Sequence, residues 1–350
     1  MRLSELLLLL QLQITPAMQS KQDIHAIKSQ LNLNIHTLQD LYALPADDAA
    51  AMQFGEQYLL HACEGMLPSF VAKHPYFAGW SAVMANVSDI AAMGGRALTV
   101  VNSYWHTDTQ SGQQLFAGMQ AACDAYGVKL VGGHTNIHTD FQPTLSVAIQ
   151  GLANHLLSVF HVQAGQKILI ALNMQGKFHE QTTYWKCFEH VPAAVLRTQL
   201  EVLPEIAEQH LAYAARDISN AGILGSLLML LEATGSGANL WLDKIPKPQH
   251  TDWLKWLQIF PSYGFLLTAD SKECEDIIEL FASQDIDCAV IGEVTNSGKV
   301  QIQQQNEQQI FWDFQQQAFT GLNYQKVLAQ APFSHLSLHV QQQEPTLCQV

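Results

Sequence analysis

The chain has 350 residues, is 48% apolar and only 14% charged, and carries a formal net charge of −14. It can therefore fill the cores of two ordinary domains, and wholesale disorder is excluded. Its acidic balance excludes an unaided electrostatic grip on nucleic acid or on an anionic membrane surface, and leaves room for a small anionic ligand if metal ions neutralise it.

At the N-terminus, "SELLLLLQLQ" has Glu5 at its start, glutamines at its end and no small-residue cleavage site after it. It predicts a helix packed on the body rather than a signal peptide. No stretch reaches the roughly 20 apolar residues needed to cross a bilayer. Next, "KQDIHAIKSQLN" places Ile24, Ile27 and Leu31 at helical spacing, so 1–45 is expected to be a helical N-terminal segment. From 46 to 158 strands and helices alternate. "QYLLHACEGM", "ALTVVNSYW", "VKLVGG" and "TLSVAIQGLA" predict strands, and 75–93 and 110–126 predict helices.

The pattern restarts at "HVQAGQKILIAL", where a turn at Gly165 leads into an apolar strand, and a second domain is expected over 159–320. It holds a helix near 193–210, then a strand, loop and helix in "AYAARDISNAGILGSLLMLLEATG", closed by Gly235. "YGFLLTA", a helix over 271–284 and "DCAVIGEV" form a strand–helix–strand unit, and the glutamine-rich 321–350 is expected to be a peripheral tail. Six cysteines, at 63, 123, 187, 274, 288 and 348, form no CxxC pair. That scatter points to a reducing compartment, and the expected location is cytoplasmic.

Three carboxylate segments stand out. In "ANVSDIAAMGG", helical spacing puts Asn86, Asp89 and Met93 on one face of an apolar helix that stops at Gly94 and Gly95. A carboxylate in such surroundings needs a cation or hydrogen-bond donors. The pair Asp47–Asp48 in "PADDAAAM" by itself suits a turn. Asp217 in "ARDISNAGILG" follows an apolar strand and can serve either as a site residue or as the cap of the next helix. In "LVGGHTN", a strand expected to end at Gly132–Gly133 is followed by His134 and Thr135, whose donors suit phosphate oxygens, although a plain glycine turn fits as well. Between Asp47 and Asn154 the cationic side chains are Lys73, Arg96 and Lys129. A bound triphosphate would then need Mg²⁺ held by carboxylates. The histidines show no paired spacing on a predicted helix, which disfavours zinc.

Taken in order, "DDAA", "NVSDIAAMGG", "GGHT", "RDISNAGILG" and "IGEV" resemble the superfamily of aminoimidazole ribonucleotide (AIR) synthase, selenophosphate synthetase and thiamine-monophosphate kinase, over roughly residues 20–300. "CEGMLPSFVA", "FAGWSAVMANVSDIAAMGG", "VGGHTN", "LLMLLEATGSGA" and "FPSYGFLL" are similar to the wording of AIR synthase-related proteins in particular. The resemblance implies an α+β fold of two AIR synthase-like domains. The N-terminal domains would pair in a homodimer as a β-barrel, with ATP and Mg²⁺ in the cleft between domains. It implies Asp48, Asp89 and Asp217 as metal ligands and Lys21 as the catalytic lysine. For the nucleotide it implies Asp47, Glu64, Asn86, Asp89, Gly132, Gly133, His134 and Thr135.

Three positions depart from the resemblance. Residues 17–20 read "AMQS" with no thiol, Ala46 stands where the superfamily usually has glycine, and Glu64 stands where selenophosphate synthetase has aspartate. The implied function is ATP- and Mg²⁺-dependent activation of a small molecule by phosphoryl transfer. Selenophosphate synthetase-like or thiamine-monophosphate kinase-like chemistry are alternatives within it, and a non-catalytic nucleotide-binding regulator or scaffold is the alternative outside it. Segment 173–192 shows no recognisable chemistry; His179, Trp185 and His190 there are expected to cover the core rather than to line a pocket.

Overall fold

A computed structural model describes residues 2–13, 20, 21, 23–25 and 35–330. Of the helical positions above, Ile27 and Leu31 lie outside these residues, as does Cys348. The leucine run forms a helix, Leu3–Gln13, that buries Leu3, Leu6, Leu7 and Leu10, the i, i+3, i+4, i+7 spacing of one apolar face. Its start is tied to the body by Leu3 N, which donates to Glu307 Oε2 at 2.9 Å. Among the described residues no helix is long and apolar enough to cross a membrane.

The first sheet contains β1 (Ala50–Phe54), β2 (Gln57–Met66), β3 (Arg96–His106), β4 (Lys129–Ile137) and β5 (Thr144–Ala153), in the order β1-β2-β5-β3-β4. All neighbours are antiparallel except β3 and β4, which are joined through the helix Thr109–Tyr126. The helix expected over 75–93 forms as Pro75–Ala92, and a short helix not expected from the sequence, Pro68–Lys73, precedes it. The break falls at His74 because Pro75 offers no N–H and disfavours helical backbone in the residue before it; His74 has φ −136° and ψ 62°.

Every residue from Ala78 to Ala92 is buried, since this helix lies between the sheet and the Thr109–Tyr126 helix. Those two helices approach so closely that a Cβ on Gly79 would stand 2.1 Å from Leu115 O, and one on Gly118 1.9 Å from Tyr76 O. Gly94, at φ +76°, and Gly95 end the turn against Ala207 and Leu60, where a Cβ would come within 2.6 and 2.3 Å. The two glycines thus let the chain reverse inside a packed core.

The second sheet draws on β6 (Lys167–Leu172), β9 (Ala214–Asp217), β10 (Gly237–Trp241), β12 (Gly264–Ala269), β13 (Asp287–Thr295), β14 (Lys299–Gln304) and β15 (Glu307–Asp313). Its order is β15-β14-β10-β13-β6-β12-β9, and only β10 and β14 run parallel. Central β6 is apolar on both faces, as a strand covered on both sides must be. Ile168, Ile170 and Leu172 join the core under the helix Gly222–Glu232, while Leu169 and Ala171 join the one under the helices Ala193–Glu208 and Cys274–Ala282. A small sheet of β7 (Lys177–Phe178), β8 (Tyr184–Lys186) and β11 (Phe260–Pro261) flanks it.

The expected tail is not peripheral at its start. Leu322 and Tyr324 are buried, and Tyr324 Oη donates to Pro45 O at 2.9 Å. The buried Glu232 carboxylate accepts from the amides of Phe319, Thr320 and Gly321. A glutamine-rich composition concealed this short anchored stretch.

Candidate active site

A cavity of about 380 Å³ opens between the two sheets' units. Asp48 comes from the turn before β1, Asp89 from the last turn of the Pro75–Ala92 helix, and Asp217 from the last position of β9. One carboxylate oxygen of each lies within 4.8 Å of the other two. Asp217 N donates to Asp48 Oδ2 at 2.9 Å, which locks the turn to the strand end. Asp217 does not cap the next helix: the N-cap there is Ala221, and it makes no side-chain cap bond. Glu64, Lys21, Ser219 and Asn220 line the same cavity.

Burial is the first cause of the electrostatics. It raises the carboxyls of Asp48 and Glu64 and pushes Asp89 and Asp217 well above the usual carboxylate range. Neighbouring carboxylates push Asp89 further in the same direction. Arg216 opposes the rise at all four groups, and Lys21 opposes it at Asp48, Glu64 and Asp217. Asp89 Oδ2 is buried with no hydrogen-bond partner. A buried oxygen left this way among like charges calls for a cation. An all-oxygen carboxylate set fits a hard divalent ion such as Mg²⁺.

Not all the expected residues meet here. Asp47 reaches the cavity wall, but its two oxygens accept from Ser158 Oγ at 2.6 Å and Val159 N at 2.7 Å. Burial carries its pKa up to about 7, and its work is to join β1 to the start of the second unit. Asn86 turns to the sheet and donates to Ala82 O and Val147 O at 2.7 and 3.0 Å. The residue that shares the cavity with Asp89 is Ala85, one turn away.

The strand expected to stop at Gly132–Gly133 runs on to Ile137, so Gly132, Gly133, His134 and Thr135 form part of edge strand β4 rather than a loop. Glu64, Val147, Asn102 and Gly133 make one cross-strand row. At the usual strand spacing that puts Gly133 about 14 Å from Glu64.

Sequence reasoning missed Arg216. Its Nη2 lies 3.0 Å from Asp48 Oδ1, and its Nη1 donates to Ala46 O at 2.7 Å. The available signal was a lone arginine closing the apolar "AYAA" run. It also missed an aromatic wall of Phe70, Tyr184 and Phe260, with ring centroids 5.2 Å apart for Phe70–Tyr184 and 5.8 Å for Tyr184–Phe260. Those residues come from three distant segments and carry no pattern. Trp185 is core, as expected, its Nε1 donating to Asn173 O at 2.9 Å.

The sequence matches the family models for the AIR synthase related protein N-terminal domain over residues 46–153 and C-terminal domain over 171–305. An uncharacterized protein of Synechocystis is 38% identical over 90% of this chain and 97% of its own length. Selenide, water dikinase of Sulfurimonas denitrificans is 25% identical over 66% of this chain and 72% of its own.

Among solved structures, Thermotoga maritima PurL complexed with ADP superposes with a TM-score of 0.72 at 18% identity, over 92% of this chain. The chain spans about half the length of that protein (52%). A ThiL complexed with AMPPCP and TMP superposes with a TM-score of 0.59 at 19% identity, over 81% of this chain and 94% of its own. These likenesses carry the fold, two α+β units of the AIR synthase type, and the family models with the Synechocystis relative carry the membership. The chain belongs to the AIR synthase-related family.

Proposed function

We propose that the protein is an ATP- and Mg²⁺-dependent enzyme that activates a small molecule by phosphoryl transfer in the cavity between its two units. The observation that carries this reading is the convergence of Asp48, Asp89 and Asp217 within 4.8 Å around an unpartnered buried oxygen. Mg²⁺ bound by these carboxylates would supply neutralisation of phosphate charge. Arg216 orients Asp48 by holding its Oδ1, and Asp217 N holds its Oδ2, so that ligand is fixed before anything binds. Lys21 lies on the same wall as a flexible cation for the transferred group. Phe70, Tyr184 and Phe260 form an apolar part of the lining that keeps water out. The nucleotide-bound states named for the PurL and ThiL structures support ATP as the ligand.

The Gly132–Thr135 edge belongs to the nucleotide site in a homodimer. Its own-chain distance from Glu64 in the cavity and the solvent-facing Val101 and Val131, 45% and 59% exposed, both favour a second copy laid against this sheet. The Arg216–Asp48 ion pair favours a second reading, a nucleotide-binding regulator without turnover, because one metal ligand is already matched by a protein cation.

Calorimetric titration of ATP tests the proposal. Saturable binding is expected that needs both Mg²⁺ and Asp89, with Asp89→Asn silent. Tight binding by Asp89→Asn would remove it. Release of ADP or AMP with any acceptor, abolished by Lys21→Ala, would separate the enzyme from the regulator.

A further inference from the structure

A second group of ligand-type side chains lies outside the cavity. His74 occupies the break between the helices Pro68–Lys73 and Pro75–Ala92, while His179 and Glu180 follow β7 in the other unit. One ligand atom from each of these three lies within 4.8 Å of the other two. His74 Nε2 stands 3.9 Å from Glu180 Oε2, too far for a direct hydrogen bond. His179 Nε2 is buried and has no hydrogen-bond partner.

The rings are held in place. His74 and His179 meet edge to face at 4.9 Å, and Phe77 packs on His179 at 4.7 Å. The turn is fixed by Thr182 N donating to His179 O at 3.0 Å and by His179 N donating to Tyr184 O at 2.9 Å. Glu180 holds a left-handed φ of +50°, an unusual backbone for glutamate. Lys186, whose charge acts on His179, is engaged by Glu189.

We propose that His74, His179 and Glu180 bind a borderline divalent ion of the zinc class, with the remaining position left to water. Two imidazoles and a carboxylate suit zinc and disfavour Mg²⁺. Bonds of about 2.1 Å put tetrahedral ligand atoms roughly 3.4 Å apart, which small side-chain rotations reach from the present spacing. Because His74 belongs to the first unit and the other two ligands to the second, the ion is a clamp between units. It pins the β7–β8 hairpin that carries Tyr184 to the helix pair that carries Phe70, and so fixes the aromatic wall of the cavity. The paired histidine spacing that would have announced such a site is absent because its two histidines are over 100 residues apart.

The test is equilibrium dialysis of the full chain against Zn²⁺ in excess Mg²⁺, with Co²⁺ as a spectroscopic probe of the same ligands. One zinc per chain and an intense tetrahedral Co²⁺ band are expected for the wild type and for Asp89→Asn. Affinity is expected to fall at least about tenfold in His179→Gln and in Glu180→Gln. Glu180 is exposed, so its substitution keeps the fold even if His179→Gln does not. Absence of zinc from the wild type would overturn the proposal. So would equal zinc in wild type and Glu180→Gln, or loss in Asp89→Asn with retention in Glu180→Gln, which would assign the ion to the aspartates.

Discussion

Asp89→Asn should raise the stability of the metal-free protein while abolishing its response to Mg²⁺ and nucleotide. Two unit charges at 4.8 Å, the outer limit of these separations, repel by about 3.5 kcal/mol at an effective dielectric of about 20, and Asp89 faces two such partners. Retained protons and the Arg216 guanidinium absorb most of this, leaving an expected gain of about 1–3 kcal/mol, or about 1–4 °C in Tm for a chain of 350 residues. Wild type with ligand at about 100 times Kd should gain about 2.7 kcal/mol; the variant should gain nothing.

The pH dependence has a definite sign. Asp89 and Asp217 hold protons in the folded state that the unfolded chain releases near pH 4. Metal-free stability is therefore full below that pH and falls as pH rises toward the folded-state values, and the Mg²⁺ increment grows over the same window. Thermal unfolding by circular dichroism in EDTA and in Mg²⁺ with AMPPCP, from pH 4 to 8, measures all of this. A metal-free Tm that drops in Asp89→Asn would refute the reasoning, because it would mean that the carboxylate is a structural acceptor rather than an uncompensated charge.

Arg216→Met leaves Asp48 buried without its cation and should cost about 3–5 kcal/mol at pH 8, with much of it recovered at pH 5 as Asp48 takes up a proton; an equal loss of urea midpoint at both pH values would argue against a charge effect. Gly94→Ala should cost about 2–4 kcal/mol, since its Cβ meets Ala207 and His155 O at 2.6 and 2.9 Å. Gly55→Ala, with a similar φ of +66° but open space around it, should cost only about 1 kcal/mol, so matching losses in denaturant would show that backbone strain alone matters. Glu232→Gln turns an amide donor toward one of the 319–321 amides and should cost about 1–3 kcal/mol, seen as faster hydrogen exchange at those amides; unchanged protection would mean the carboxylate is not what anchors the segment.

What sequence could determine here was local or periodic. Apolar runs specified the strands of both sheets, Asp89 was conspicuous because a charge in "ANVSDIAAMGG" has no local partner, and Gly94–Gly95 announced an abrupt chain reversal. Residue order carried the family, hence the fold. Tertiary structure decided the questions that turn on distance. It separated Asp48, whose oxygens are held by Arg216 and the Asp217 amide beside Asp89, from adjacent Asp47, whose oxygens are consumed by Ser158 and Val159. It turned Asn86 to the sheet and Asp89 to the cavity. It also extended β4 through the glycines expected to end it, because pairing with Val101–Tyr104 satisfies their backbone groups. His74 and His179 meet only after two units fold together. Hydrophobic period is written along the chain, but the interaction of two side chains depends on separations across packed elements, which no short stretch of sequence encodes.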